Sequence, residues 1–175
     1  MSRTFIVTIL MALCATACLA EAFDYTTKNG HSGRIILHQY SDSAYCLEHT
    51  IDGKSVSRWK LAYPVYRFEV ADLTGDSVPD IAVGVIKRTR YFKNGDGKRL
   101  FLFKLFDGKY IRPLWLGSKV AHHLEDFSLE PCDSLGHSIV HTHEIRQDST
   151  AVEAYYEQRG FGLRFMRWGD VSVAK

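Results

Sequence analysis

Almost nothing in this 175-residue chain announces a chemistry. There is no G-x-S-x-G elbow, no glycine-rich phosphate loop and no H-E-x-x-H pair, so the best-known local signatures of catalysis are missing. An excess of charge of one sign is missing too: 22 Lys and Arg stand against 20 Asp and Glu. If Arg3 is removed with a leader, 21 basic residues face 20 acidic ones, a charge of about +1 that gives no electrostatic case for nucleic acid. No linker, low-complexity tract or strong charge block divides the chain, and no long helical stripe runs through it. Cysteine is sparse. Of the four, Cys14 and Cys18 fall near the start, which leaves Cys46 and Cys132 to form either one disulfide or two buried thiols.

The first thing that is present is an export signal. Arg3 is followed by FIVTILMALCATA, an apolar stretch too short for a permanent membrane span and placed where a secretory leader sits. The organisation expected is a signal peptide over 1–20 and one domain over 21–175, in an extracytoplasmic location: bacterial periplasm, cell envelope or secreted. Two processing routes compete. ATAC at 15–18 resembles a lipobox that would acylate Cys18, and Ala20 and Ala22 around Glu21 form a small-residue peptidase site. The membrane enters only through that N-terminal lipid anchor.

Beyond the leader, the pattern is that of strands. Short segments rich in Val, Ile, Tyr and Phe recur roughly every 8 to 12 residues between glycine turns. GRIILHQY reads as one strand, and YCLEHTIDGKSVSRWKL as a hairpin turning at Asp52 and Gly53. LFLFKLF and KYIRPLWL flank Asp107 and Gly108, a dipeptide that accepts the positive φ angles of a tight turn. HSIVHTHEI, TAVEAYYEQ and GLRFMRW follow as three more strands, while 121–136 reads as the longest irregular connection. About 155 residues is the size of one domain. The expected fold is all-β: a compact antiparallel domain, propeller-like or irregular, of two to three blade-sized sheets.

One stretch carries a chemical pattern. In DLTGDSVPDIAVGV, residues 72–85, Asp72, Thr74, Asp76 and Asp80 fall at positions 1, 3, 5 and 9 of a loop, with the carbonyl of Val78 at position 7. Such an oxygen-only set suits calcium over zinc. An EF-hand is excluded, because Val83 stands where its glutamate would and an apolar strand follows. The alternative is a turn in which aspartate side chains bond backbone amides. FEVADLTGDSVPDIAVG resembles the FG-GAP and VCBS repeat, with Phe68 and Gly84 at its flanking positions. The resemblance implies a calcium loop within one blade of a β-propeller, in proteins of adhesion or carbohydrate association. Thr74 and Ser77 depart from the repeat's Asn or Asp and turn glycine, so Ser77 has to adopt a conformation that favours glycine.

The remaining candidates are weaker. Lys87, Arg88, Arg90 and Lys93 mix with Tyr91 and Phe92 in a segment suited to a glycan or protein ligand, or to an ordinary strand end. KNGDGKR, 93–99, reads as a polar hairpin tip. Glu125 and Asp126 read as a solvated loop. His141 and His143, two apart on a strand, share a face, and with His122, His123, His137 and Cys132 they supply zinc-type ligands in no recognised spacing. The leading expectation is a non-catalytic binding or scaffold module with a calcium loop and a protein or carbohydrate ligand. The alternative is a small extracytoplasmic hydrolase using a His/carboxylate cluster.

Overall fold

The apolar segments pair as hairpins throughout. The computed structural model describes residues 20–88, 95–117 and 119–169, and the expectations for Cys18, Arg90, Tyr91 and most of the leader lie outside the described residues. Twelve strands are described: β1 (Ala20–Thr26), β2 (Ser32–Ser41), β3 (Ala44–Ile51), β4 (Lys54–Leu61), β5 (Val65–Ala71), β6 (Asp80–Arg88), β7 (Asp96–Phe106), β8 (Tyr110–Leu116), β9 (His123–Cys132), β10 (His137–Ile145), β11 (Ala151–Arg159) and β12 (Gly162–Trp168). They form three antiparallel four-stranded sheets in which consecutive strands are neighbours: β1 to β4, β5 to β8 and β9 to β12. The fold is all-β, built of blade-sized sheets, and no sheet closes into a barrel.

Turn chemistry sets two of the hairpins. Asp52 and Gly53 sit at φ 49° and 74°, and Asp107 and Gly108 at 60° and 64°, the paired left-handed conformations that a two-residue turn needs to match strand twist.

The middle sheet is buried on both faces, which explains its uninterrupted apolar runs. Ile81, Val83 and Val85 of β6 and Phe101, Phe103 and Leu105 of β7 pack against Ile35, Leu37, Leu47 and Leu61 of the first sheet. Their alternates Ala82, Leu100 and Leu102 pack with Leu124, Phe127, Val140, Ala154 and Tyr156 of the third. Side chains alternate between the faces of a strand, so a strand between two cores carries apolar residues at every position. Gly84 fits this crowding. A Cβ there would lie 2.5 Å from the Tyr66 ring, so the β5–β6 pair tolerates no side chain at that point.

Residues 121–136 are not the irregular connection that the sequence suggests, since they contain β9. In the β9–β10 register, His143 faces Asp126 and Glu144 faces Leu124, so Glu125 is the extra residue of a bulge. The bulge breaks the alternation and spaces the core-facing Leu124 and Phe127 by three, which hides the strand. Glu125 and Asp126 are therefore strand residues and not a solvated loop. Asp126 accepts two hydrogen bonds from Arg67, at 2.7 and 2.6 Å, and ties the second sheet to the third.

Of the two expectations for Cys46 and Cys132, one disulfide or a pair of thiols, the structure shows no bond between them. Cys46 and Cys132 are free thiols, one buried in the first sheet and one at the end of β9 in the third. The Cys46 thiol donates to the Leu47 carbonyl, and the Cys132 thiol lies 3.3 Å from the Ser134 hydroxyl.

Candidate functional site

The aspartate loop joins β5 to β6 and touches both neighbouring sheets. Leu73 is fully buried in the core shared with the third sheet, and Val78 packs against the core shared with the first. The Asp72 carbonyl accepts the Ser138 amide of β10 at 2.7 Å, and Lys28, in the β1–β2 turn, donates to the Asp76 carbonyl.

The loop's carboxylates turn inward on its own backbone. Asp72 accepts the amides of Gly75 and Ser77, both at 2.7 Å, and Asp76 accepts that of Val78 at 2.8 Å. Asp80 accepts the amides of Leu73 and Thr74 through one oxygen, each at 3.0 Å. This is the aspartate-turn arrangement, in which side chains stand in for missing backbone partners. Ser77 pays for it with φ 61°, the glycine-like conformation its position demands. Burial pushes the Asp80 carboxyl up to about 6, with the nearby Asp76 charge adding to the rise and the two amides opposing it.

A cleft of about 450 Å³ opens beside this loop, between the ends of the first and middle sheets. Tyr25, Lys28, Asn29 and His31 line one side, and Ser77, Val78 and Lys109 the other. Two of its ionisable side chains are partnered within the protein. Lys28 donates to the Asp76 carbonyl, and His31 pairs with Asp52 at 2.7 Å. The buried His49 beneath it accepts from the Tyr25 hydroxyl at 2.8 Å and donates to the Lys109 carbonyl at 2.7 Å, an arrangement of the neutral ring. Burial lowers the His49 pKa further.

The basic segment is represented by Lys87 and Arg88. The Lys87 ammonium lies 4.9 Å from the centroid of the Tyr63 ring and 5.6 Å from that of Phe101, so it covers the first core. Arg88 is exposed and pairs in register with Asp96.

The histidines disperse, except for one pair. His122 stacks on Trp168, and His137 lies against Gly75 of the aspartate loop. Cys132 and His137 both line a separate cleft beside Asp72. His141 and His143 lie together on the face of β10 turned away from the core, ring centroids 4.8 Å apart. Across the strand pair, Glu153 of β11 faces His143 and Tyr155 faces His141. The His141 Nε2 is 3.4 Å from one Glu153 oxygen, and the His143 Nδ1 is 3.7 Å from the other.

The other ring nitrogen of His141, Nδ1, is 2.7 Å from the Glu130 carboxylate of β9. A carboxylate only accepts, so Nδ1 carries the proton. The ring is 8% exposed and stacks on Tyr155 at 4.4 Å and 6°, and its buried Nε2 has no hydrogen-bond partner.

Among the described residues, one group of three such side chains brings its donor atoms within 4.8 Å of one another: His141, His143 and Glu153. The three loop aspartates do not. Sequence reasoning named both histidines and missed Glu153 and Glu130. The signal for Glu153 was the hairpin itself, because positions 143 and 153 are equidistant from its turn at Asp148.

A second buried carboxylate illustrates the contrast. Glu144, on the core face of β10, accepts the Thr142 and Tyr156 hydroxyls at 2.7 Å each and the His122 amide at 2.5 Å. With these three donors it is a structural anchor for the β8–β9 connection. Comparison of the chain with protein-family models, with curated proteins and with solved structures gave no match.

Proposed function

We propose that this is an exported, non-catalytic binding module that takes a carbohydrate or protein ligand at the cleft beside the aspartate loop. The observation that carries the reading is the lining of that cleft. Tyr25, Asn29, Ser77 and Lys109 offer a ring edge, an amide, a hydroxyl and a cation on a rigid rim, and its histidine is already paired with Asp52. Polar groups of this kind orient a ligand rich in hydroxyls. The rim is rigid because the loop is pinned to both neighbouring sheets, which is the scaffold role the reading assigns to it.

Calcium belongs to this reading as the cation that the loop's oxygen-only donors would take. For it stands the donor set of Asp72, Thr74, Asp76, Val78 and Asp80. Against it stands the use of Asp72, Asp76 and Asp80 as acceptors for the loop's own amides. Melting of chelator-treated protein with and without calcium separates the two. A rise that Asp76→Ala abolishes assigns the ion to the loop, and no rise makes the loop a self-sufficient clasp.

The binding reading is tested by a glycan array and a pull-down from envelope extract, repeated with Asn29→Ala and Lys109→Ala. Both positions border the cleft on short turns, so these variants are expected to fold and to lose the captured ligand. Undiminished capture by both would overturn the assignment to the cleft. The rival hydrolase reading draws on His141, His143 and Glu153, which line neither the cleft beside the loop nor the one at Asp72.

A further inference from the structure

From the outer face of the third sheet we infer a mononuclear site for a zinc-class divalent ion, held by His141, His143 and Glu153. The donor set is two imidazoles and one carboxylate, a combination that zinc and its late first-row neighbours prefer and that calcium and magnesium do not. Its three donor atoms lie within 4.8 Å of one another. A tetrahedral ion with bonds of about 2.0–2.1 Å sets neighbouring donor atoms about 3.3 Å apart. The His141 Nε2 lies 3.4 Å from one Glu153 oxygen and the His143 Nδ1 3.7 Å from the other, both too long for good hydrogen bonds and each close to that edge. A small turn of the exposed carboxylate brings one oxygen to both rings.

The buried ring supplies a second, independent sign. The His141 Nε2 is enclosed and makes no hydrogen bond, a cost that proteins ordinarily avoid. Glu130 holds the proton on the opposite nitrogen, which leaves the Nε2 lone pair facing Glu153 and His143. A carboxylate behind a histidine in this way is the usual support of a metal-bound imidazole, fixing its tautomer and raising its donor strength. Tyr155 stacks along the ring and fixes its plane, and Arg167 covers the tyrosine with its guanidinium 3.8 Å from the ring centroid. The bulge between His143 and Glu144 lies next to the group and re-aims a strand side chain there. Glu130 and Glu153 supply two negative charges to match a dication.

Three protein donors leave one position of a tetrahedron free. His143 and Glu153 are 50% and 42% exposed along their side chains, so that position faces solvent. The site therefore holds its ion where a water or an anionic ligand can complete the coordination, unlike a closed four-donor structural site.

The test uses the purified protein stripped with a chelator and titrated with zinc by calorimetry, then with cobalt by visible spectroscopy. One equivalent of zinc is expected to bind, and cobalt to show the intense visible bands of a four-coordinate ion. His143→Ala and Glu153→Gln, both at partly exposed positions that leave the fold intact by circular dichroism, each weaken binding by at least about 100-fold. Glu130→Gln, which touches no metal donor but the ring behind it, weakens binding by about 10- to 100-fold and keeps the four-coordinate spectrum. His31→Gln, in the β1–β2 connection, leaves binding unchanged. The proposal is overturned by failure of the folded protein to take up zinc, by uptake that His143→Ala and Glu153→Gln leave intact, or by uptake that only Asp72→Asn removes, which would move the ion to the loop.

Discussion

The β5–β6 loop and the outer face of the third sheet both gather groups able to hold a cation, and they do opposite things with them. In the loop, Asp72, Asp76 and Asp80 accept five backbone amides between them, so each carboxylate gives at least one oxygen to closing the chain on itself. On the sheet, His141 keeps one buried nitrogen without a hydrogen bond while a glutamate holds the other. A ligand-type residue is thus best judged by what its donor atoms are already doing. By that measure the loop's carboxylates favour a clasp and the sheet face favours a metal site. The buried Thr74 hydroxyl, which has no hydrogen-bond partner, is the one loop donor that counts the other way.

If the loop is a clasp, damage to it reads out as lost stability, and damage to the sheet face does not. Leu73→Ala deletes a fully buried side chain from the core shared by the second and third sheets. The expected loss is about 3 kcal/mol, measured by urea denaturation. His143→Ala, at a half-exposed position, is expected to stay within about 0.5 kcal/mol of the parent in metal-free buffer. A large loss from His143→Ala, or none from Leu73→Ala, breaks the comparison.

Metal sharpens it from the other side. Zinc at 100 times its dissociation constant is expected to stabilise the protein by about 2.7 kcal/mol, and the increment should fall to about 0.4 kcal/mol or less in Glu153→Gln at the same zinc concentration. A zinc increment that Glu153→Gln leaves at its full size contradicts the assignment to the sheet face.

The next effect is smaller and depends on pH. The Asp80 carboxyl is raised in the folded state from 3.8 to about 6 by burial. A raised folded value contributes stability that is fully present below the unfolded value near 3.8 and is lost as pH rises through 6. Above that window the protein carries the cost of a buried charge. Asp80→Asn keeps an oxygen for the Leu73 and Thr74 amides and removes the charge. In chelator it should therefore gain on the wild type between pH 4 and pH 8, by about 1–3 kcal/mol. Glu48 works in the reverse sense. Bonds from Ser55, Arg58 and His38 hold it at about 2, so its contribution is present above 4.5 and lost as pH falls towards 2. A loss of stability in Asp80→Asn at pH 8 in chelator would show that the loop needs the charged carboxylate even without a cation.

Much of the fold is legible in the sequence because turn chemistry and alternation are local. Asp52-Gly53 and Asp107-Gly108 mark their hairpins, and LFLFKLF marks a strand. The role of that strand as the centre of two cores is less legible, because an all-apolar run does not say what covers each face. β9 is hidden because one extra residue, Glu125, disturbs its period. The candidate site is half legible. His141 and His143 share a face by their spacing alone, whereas Glu153 and Glu130 join them from neighbouring strands whose register depends on a turn and a bulge. The spacing of the loop aspartates is plain in the sequence. Whether they bond a cation or an amide depends on backbone angles that the spacing leaves open.

The smallest test falls on one of those angles. Ser77 holds φ 61° so that its amide reaches the Asp72 carboxylate, a conformation that costs a residue with a Cβ about 1 kcal/mol more than glycine. Against that gain, glycine has more backbone freedom to lose on folding, so the two terms partly cancel. Ser77→Gly is expected to stabilise the chelated protein by about 0.5 kcal/mol and to leave zinc affinity unchanged. The hydroxyl makes no contribution to this outcome if the loop is a clasp closed by amides. A destabilised Ser77→Gly variant would mean that the serine side chain, and not only its amide, holds the loop, and the balance of bonds drawn here would have to be redrawn around it.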